Sequence, residues 1–251
     1  MKKPDVSIVG AIVLLLMGAA FWHLVTLFSL APAYVIPPPS SVAVALWENI
    51  MTLLQDTSVT LGNALIGLVL SGAAAATLAV ILIHVRPLRR SLVPLIAGFE
   101  AVPKVAFAPL LVVWLGIGSA SKVALAAALA FYPLFINILS GLEQVDPHLL
   151  QLSSVLRARA ARTLLFIRAP NSLIRAFDAL RIALPLCLIG AILGEFVSAN
   201  SGLGYRLLTA FSNLRLDLAF AVLVILAAIS MLLFGLLALA EKGAMKWREP
   251  L

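Results

Sequence analysis

The chain has 251 residues, of which 63% are hydrophobic and 12% are charged, and its mean hydropathy is +1.10. Soluble domains are about 45–50% apolar and about 25% charged, so this composition excludes an ordinary soluble protein. We predict an all-α membrane protein that forms one domain over 1–251. The net charge of +7 does not point to a nucleic-acid partner, because the positions of the basic residues follow membrane sidedness instead.

Apolar runs of membrane-crossing length recur along the chain, and a crossing takes roughly 20 apolar helical residues. We predict six transmembrane helices, at about 8–30, 59–83, 92–115, 123–142, 182–197 and 218–240. Lys2 and Lys3 before the first run would also suit a signal peptide. That run exceeds the roughly 7–15 residues of a signal-peptide core, so we interpret it as a retained span.

The connection after the first span is rich in proline, at positions 32 and 37–39. Proline stops a helix because it lacks an N–H donor and restricts the residue before it. Ser40 or Ser41 is predicted to cap a short surface helix that ends at Ile50.

Two spans carry residues that shape helix packing. The second contains Gly62, Gly67 and Gly72, and small residues let neighbouring helix backbones approach closely. The third contains Pro103 and Pro109, so it is not predicted to be one straight helix.

The basic residues agree with six spans, which place both termini on one side. Lys122, Arg206 and Arg215 fall on the opposite side, and Lys104 lies inside the membrane. Because Lys and Arg resist translocation, we predict that both termini and the loop 143–181 are cytoplasmic. The basic residues on that side are Lys2, Lys3, Arg86, Arg89, Arg90, Arg157, Arg159, Arg162, Arg168, Arg175, Arg181, Lys242, Lys246 and Arg248.

Several chemistries lack a sequence signature. No G-x-x-x-x-G-K-[ST] pattern occurs, so ATP binding through a P-loop is not predicted and any ATP dependence requires a partner. His23, His84 and His148 are far apart, and neither a metal site nor another cofactor is predicted. The absence of H-E-x-x-H and G-x-S-x-G patterns leaves a membrane-embedded enzyme without support.

The polar loop 143–181 contains a predicted helix start at Asp146 and Pro147, because aspartate caps free N–H groups and proline suits the first helical position. The helix presents an apolar face at Leu149, Leu152 and Val155 to Leu156. This face could dock a cytosolic partner. The loop could instead fold onto its own bundle, with its arginines against lipid headgroups.

A second short helix is predicted over Ala160 to Arg168, and Ala169 with Pro170 is expected to end it. Two short helices with apolar faces beside a membrane domain are typical of a docking surface.

The chain resembles the permease subunit of an ABC-type importer, from the group that serves nitrate, sulfonate, taurine and pyrimidine-precursor uptake. The resemblance covers nearly the whole chain. It rests on the segments IPPPSSV, EAVPKVAFAPLLVVWLGIG, FYPLFINILSGLEQVDPHLL, ALRIALP and GEFVSANSGLGY.

The resemblance implies several partners and a location. It implies a second permease copy in a homodimer, two copies of a cytoplasmic ATPase and an extracytoplasmic solute-binding protein, all at a bacterial inner membrane. The solute would be small, and anionic or heteroaromatic.

The resemblance also assigns the loop to ATPase coupling. Gln151, Leu152 and Ser153 take the family's Glu-Ala-Ala positions, Pro170 matches, and Arg157 stands where glycine is expected. Arg159 replaces the usual helix-capping serine or threonine. The coupling residues implied are Gln151, Ser153, Leu156, Arg157, Ala158, Arg159, Ala160, Thr163 and Pro170.

For the translocation pathway we predict Glu100, Lys104, Asn137 and Glu195, because polar side chains at membrane depth are costly and usually functional or paired. Glu100 and Lys104 are four residues apart, so an ion pair that braces the broken third span is an equal reading. In an alternative function, a secondary transporter or channel working alone, Glu100, Lys104 and Glu195 would form an ion relay.

Overall fold

The computed structural model describes residues 5–28, 32, 35–198 and 200–244. All regular elements in those ranges are helical. They are α1 (Asp5–Leu27), α2 (Pro39–Glu48), α3 (Ile50–His84), α4 (Arg86–Glu100), a 3₁₀ turn (Lys104–Phe107), α5 (Ala108–Leu115), α6 (Ser119–Glu143), α7 (Pro147–Val155), α8 (Ala160–Thr163), a π-helical turn (Leu164–Arg168), α9 (Ala169–Ser198), α10 (Leu203–Ser212) and α11 (Leu216–Ala244).

Four helical stretches of the described chain are long and apolar enough to cross a membrane: α3, α6, the continuous run Ala160–Ser198 and α11. A fifth crossing results if α4 and the helical segment Lys104–Leu115 count as one span, bent by 84°. The structure therefore supports four or five of the six predicted spans.

The first predicted span coincides with α1, whose side chains are described only in part. Its described apolar stretch, Met17–Leu27, is too short to cross a bilayer by itself, so this crossing stays a prediction. Lys2, Lys3, Lys246 and Arg248, which entered the sidedness argument, lie outside the described residues.

Two helices extend well beyond their predicted apolar runs. The second span begins at Ile50 rather than near 59, and α9 begins at Ala169 rather than near 182. Hydropathy marks apolar residues, whereas both helices continue through polar residues such as Asp56 and Arg175, whose side chains find partners on neighbouring elements.

The predicted cap of the surface helix α2 is wrong. Its N-cap is Pro38, Pro39 lies in the first turn, and no side chain caps it. The Ser41 hydroxyl donates to the Pro38 carbonyl from inside the first turn, at 2.9 Å. Proline with its fixed φ suits a helix start, and the helix ends at Glu48 rather than Ile50.

The centre of the molecule is formed by α3, α6 and α9, which pack closely through small residues. A Cβ on Gly67 would lie 2.7 Å from the Ala126 Cβ, and one on Gly190 would lie 2.6 Å from the Ala126 Cα. Gly67 thus allows the predicted close helix approach, whereas Gly62 and Gly72 face open space.

Candidate coupling surface and transport pathway

The helix α7 begins where the sequence predicts. The Asp146 carboxylate accepts a hydrogen bond from the His148 backbone N–H at 2.8 Å, and Pro147 occupies the first turn. The carboxylate satisfies one of the four N–H groups that have no partner within a helix, and its charge suits the positive end of the helix dipole.

The end of α7 is a Schellman motif built around Arg157. The Ala158 N–H donates to the Ser153 carbonyl and the Arg157 N–H to the Ser154 carbonyl, both at 3.0 Å. Arg157 has a φ of +49°, in the left-handed region that glycine adopts without penalty. The chain therefore makes the turn expected of glycine with an arginine, at a cost of about 1 kcal/mol.

The helix α8 begins without a side-chain cap, since Arg159 is its N-cap and makes no capping hydrogen bond. A hydrogen bond of 2.6 Å between the Ser153 and Thr163 hydroxyls joins α7 to α8. The replacement of the usual capping serine or threonine by Arg159 therefore leaves this helix start without a side-chain cap.

The apolar face of α7 is not covered by the rest of the described chain. Val155 is 78% exposed and Leu156 is 70% exposed, and Phe166 beyond α8 is 77% exposed. Between the two helices lies a groove of about 160 Å³, lined mainly by Leu149, Leu152, Leu156, Phe166 and Ile167. This exposure argues against a loop folded onto its own bundle.

Pro170 does not end a helix, contrary to the prediction. The chain passes from α8 through the π-helical turn directly into α9, and Pro170 lies in the first turn of α9. Proline cannot donate to a carbonyl one turn earlier, and a π turn is a known way for a helix to accommodate such an interruption.

The loop that carries α7 is fastened between the end of α6 and the start of α9. Arg168 donates to the Leu142 carbonyl at 2.5 Å, and Asn171 donates to the Gly141 and Gln144 carbonyls at 2.8 and 2.9 Å. These carbonyls belong to a helix end that lacks intrahelical donors. We call Arg168, Asn171 and their three carbonyl partners the α6–α9 clamp.

The α6–α9 clamp is not predicted from the sequence. Next to it, Ser172 of α9 also contacts α6: its hydroxyl donates to the Ile138 carbonyl at 3.1 Å, and a Cβ on Gly141 would lie 2.6 Å from the Ser172 Cα. The polar residues just before an apolar run were the available signal, but their acceptors are backbone atoms, which no sequence pattern identifies.

Glu100 and Lys104 form an ion pair across the bend between α4 and the 3₁₀ turn. Together with Phe99, Phe131 and Tyr132 they border a cavity of about 230 Å³. This position suits both readings of the pair, a brace for the bend and a polar point in the pathway.

Asn137 lies half-buried on α6, and its side-chain amide donates to the Pro133 carbonyl of the same helix at 2.8 Å. Its predicted contact with solute stays a prediction. No hydrogen bond joins it to Glu100, Lys104 or Glu195 within the described part of the chain.

Glu195 is 1% exposed and lies at the opposite end of the bundle from α7. Its carboxylate accepts from the Gly204 N–H at 2.8 Å and contacts the Thr60 hydroxyl at 2.9 and 3.0 Å. The Thr60 hydroxyl in turn accepts from the Leu203 N–H at 2.8 Å. Glu195 thus holds the first turn of α10 against α3.

Asp56 completes this network. Its carboxylate accepts from the Gly202 N–H at 2.9 Å and from Arg206 Nε at 2.8 Å. The free N–H groups of Gly202, Leu203 and Gly204 at the start of α10 are therefore capped by side chains from α3 and α9 rather than by a neighbour in sequence. We call this set the α10 clasp.

Comparison with known proteins places the chain among transport proteins. The family model described as "Binding-protein-dependent transport system inner membrane component" matches residues 67–245. The chain is 34% identical to the riboflavin transport system permease protein of Chloroflexus aurantiacus, over 95% of this chain and 90% of that protein.

Two further relatives support the match. A Haemophilus influenzae protein named "Probable ABC transporter permease protein" is 34% identical over 88% of this chain and 91% of its own length. The formylaminopyrimidine transport permease protein of Halalkalibacterium halodurans is 32% identical over 76% of each chain.

Proposed function

Because the chain belongs to the family of binding-protein-dependent transport system inner membrane components, we propose that it is the permease subunit of an ATP-driven importer coupled to a separate ATPase through 143–181. The observation that carries this proposal is the exposed apolar face of α7, held in place by a capped start, a Schellman end and the α6–α9 clamp. An ordered apolar helix face of this kind suits a helix-in-groove contact with a partner.

The proposed partners complete the importer. They are two copies of a cytoplasmic ATPase, a second permease copy and an extracytoplasmic solute-binding protein. Riboflavin and formylaminopyrimidine, named for two relatives, both contain a nitrogen heteroaromatic ring, which favours a small heteroaromatic solute within the broader class of anionic or heteroaromatic solutes.

The clamp explains how a movement of α7 would reach the membrane. Arg168 and Asn171 tie the loop to the last carbonyls of α6, and the same segment continues without a break into α9. A displacement of α7 by the ATPase would therefore move α6 and α9 together as a rigid unit. The bend at Glu100 to Lys104, which packs more loosely on this core, would adjust between inward-open and outward-open states.

The experiment is purification of the tagged chain from its native membrane, followed by a search for a co-purified protein with a P-loop. The variant Leu156→Asp places a charge on the α7 face, and we expect it to abolish co-purification. Leu214→Asp makes the same change at a residue that is 86% exposed at the other end of the bundle, and it should leave co-purification intact. Recovery of the ATPase with both variants would exclude α7 as the docking element.

The relay alternative lacks a structural link. Among the described residues Glu195 is bonded within the α10 clasp, and Glu100 pairs with Lys104. No hydrogen bond or ion pair in that part of the chain joins the two groups, so no observation favours this second function.

A further inference from the structure

A groove of about 470 Å³ lies between α4 and α6 at the end of the bundle that carries α7. Arg89 and Arg90 near the start of α4 face Ser140 and Glu143 from the last turn of α6. We call this the α4–α6 groove. It is separate from the exposed face of α7 and from the cavity beside Glu100.

The walls of the groove change from charged to apolar with depth. On α4, Val93 and Pro94 follow the arginines by one turn, and on α6, Leu139 and Ile136 precede Glu143 by one to two turns. The eight residues from Ile136 to Glu143 span about 10 Å of helix. A ligand that fits both walls therefore has a polar head and an apolar tail.

The charge at the mouth of the groove is positive. Arg89 pairs with Glu143, whereas Arg86 and Arg90 form no ion pair with any residue that the structure describes. Arg86 precedes Arg90 by four residues, so both lie on the same face of α4. The mouth therefore carries a surplus of positive charge that suits an anionic head.

The depth of the groove matches a lipid boundary. The apolar span α3 ends at His84, directly before α4. On this basis we place the arginines at the boundary of the hydrocarbon region. No residue of α4 is fully buried, although Val93 packs partly against the core. The α4 wall of the groove is therefore accessible from outside the bundle. Basic pockets between transmembrane helices at this level are typical phospholipid-headgroup sites.

We propose that the α4–α6 groove binds an anionic phospholipid, with the phosphate at Arg89 and Arg90 and an acyl chain along Val93, Pro94, Leu139 and Ile136. A free phosphate ion would use the arginines but not the apolar walls. A bound lipid would stabilise the packing of α4 on α6, where the two helices otherwise share few contacts. This inference depends on the membrane location and goes beyond the proposed transport function.

The test compares retention of two lipids by the full chain in nanodiscs that contain phosphatidylglycerol and phosphatidylcholine with identical acyl chains. After mild detergent extraction, native mass spectrometry counts each lipid on the protein. We expect the wild type to retain phosphatidylglycerol roughly tenfold over phosphatidylcholine. The double variant Arg89→Gln with Arg90→Gln should reduce this ratio to about one.

A matched control removes the same charge from the same end of the bundle. The control variant Arg159→Gln with Arg162→Gln changes the N-cap and one residue of α8, which do not line the α4–α6 groove. It should keep the tenfold preference for phosphatidylglycerol. Equal loss of preference in both double variants would overturn the proposal, since the effect would then reflect total charge. Elution profiles and thermal unfolding establish that each variant is folded.

A second variant distinguishes a bound lipid from other occupants of the α4–α6 groove. Ile136→Trp fills the apolar wall and keeps every charge, so it should release phosphatidylglycerol. Unchanged retention in Ile136→Trp, or displacement of the lipid by inorganic phosphate alone, would overturn the proposal in favour of a small anion. Loss of permease dimers in Arg89→Gln with Arg90→Gln, at an unchanged lipid ratio, would identify the groove as a contact between copies.

Discussion

The carboxylate of Glu195 occupies the space that a side chain at Gly202 would fill. Gly202 has a φ of +108°, a backbone conformation that residues with a Cβ rarely adopt. The neighbouring Gly204 is equally confined, because a Cβ there would lie 2.6 Å from the Ile192 carbonyl oxygen and 2.9 Å from the Glu195 Cβ. The two glycines and Glu195 therefore form one packed unit.

We expect Gly204→Ala to destabilise the protein by about 2–4 kcal/mol, since the added methyl group forces a backbone shift and breaks the bond from the Gly204 N–H to Glu195. Thermal unfolding of the purified chain in detergent measures the effect. Gly72→Ala is the matched control, because a Cβ there meets no atom within 4 Å and alanine favours helix. Equal unfolding temperatures for the two variants would contradict a stabilising role of the α10 clasp.

Arg157→Gly should stabilise the α7 turn by about 1 kcal/mol, because glycine adopts the observed φ of +49° without strain. Hydrogen exchange of the α7 amides measures this local stability. Arg157→Ala is the control, since it removes the same charge but keeps the penalty for positive φ. If both variants slowed exchange equally, the charge of Arg157 rather than its backbone conformation would be responsible.

The helical class, the bent third span and the start of α7 could be predicted from the sequence because each depends on local chemistry. Apolar runs, Pro103 and the pair Asp146–Pro147 act on their own neighbourhood. The Schellman turn at Arg157 was not predicted from local chemistry, because only the family resemblance indicates a glycine position there.

The clasp and the clamp could not be predicted, because their partners are distant in sequence. Thr60 contacts Glu195 across 135 residues, and Asn171 donates to backbone carbonyls 27 and 30 residues earlier. Glu195 stood out only as a polar residue at membrane depth, a feature common to pathway and structural groups. The prediction that Pro170 ends a helix was wrong because the π turn before it has no recognisable sequence pattern.

Glu100 and Lys104 should behave as a coupled pair. Glu100→Gln alone leaves the Lys104 ammonium group without its partner, and Lys104→Gln alone leaves the Glu100 carboxylate without its partner. We expect the double variant to lose less stability than the two single variants lose together, and the difference, the coupling energy, should be about 0.5–3 kcal/mol. Thermal unfolding of the wild type, both single variants and the double variant completes this double-mutant cycle. If the losses of stability are additive, the ion pair does not brace the bend.

Asn171→Leu should weaken transmission from α7 to the membrane helices. Leucine has a similar size but cannot donate to the Gly141 and Gln144 carbonyls, so the last turn of α6 loses two donors while α7 keeps its exposed face. We expect the ATPase to co-purify as with the wild type, whereas solute uptake per ATP hydrolysed falls several-fold. Uptake into proteoliposomes, with ATP hydrolysis followed in the same sample, measures this ratio.

Asn213→Leu provides the control, because it makes the same replacement at an exposed residue at the end of α10, away from the clamp. A wild-type ratio in Asn171→Leu would show that the clamp does not carry the movement, and loss of ATPase binding would instead assign Asn171 to the shape of the docking surface.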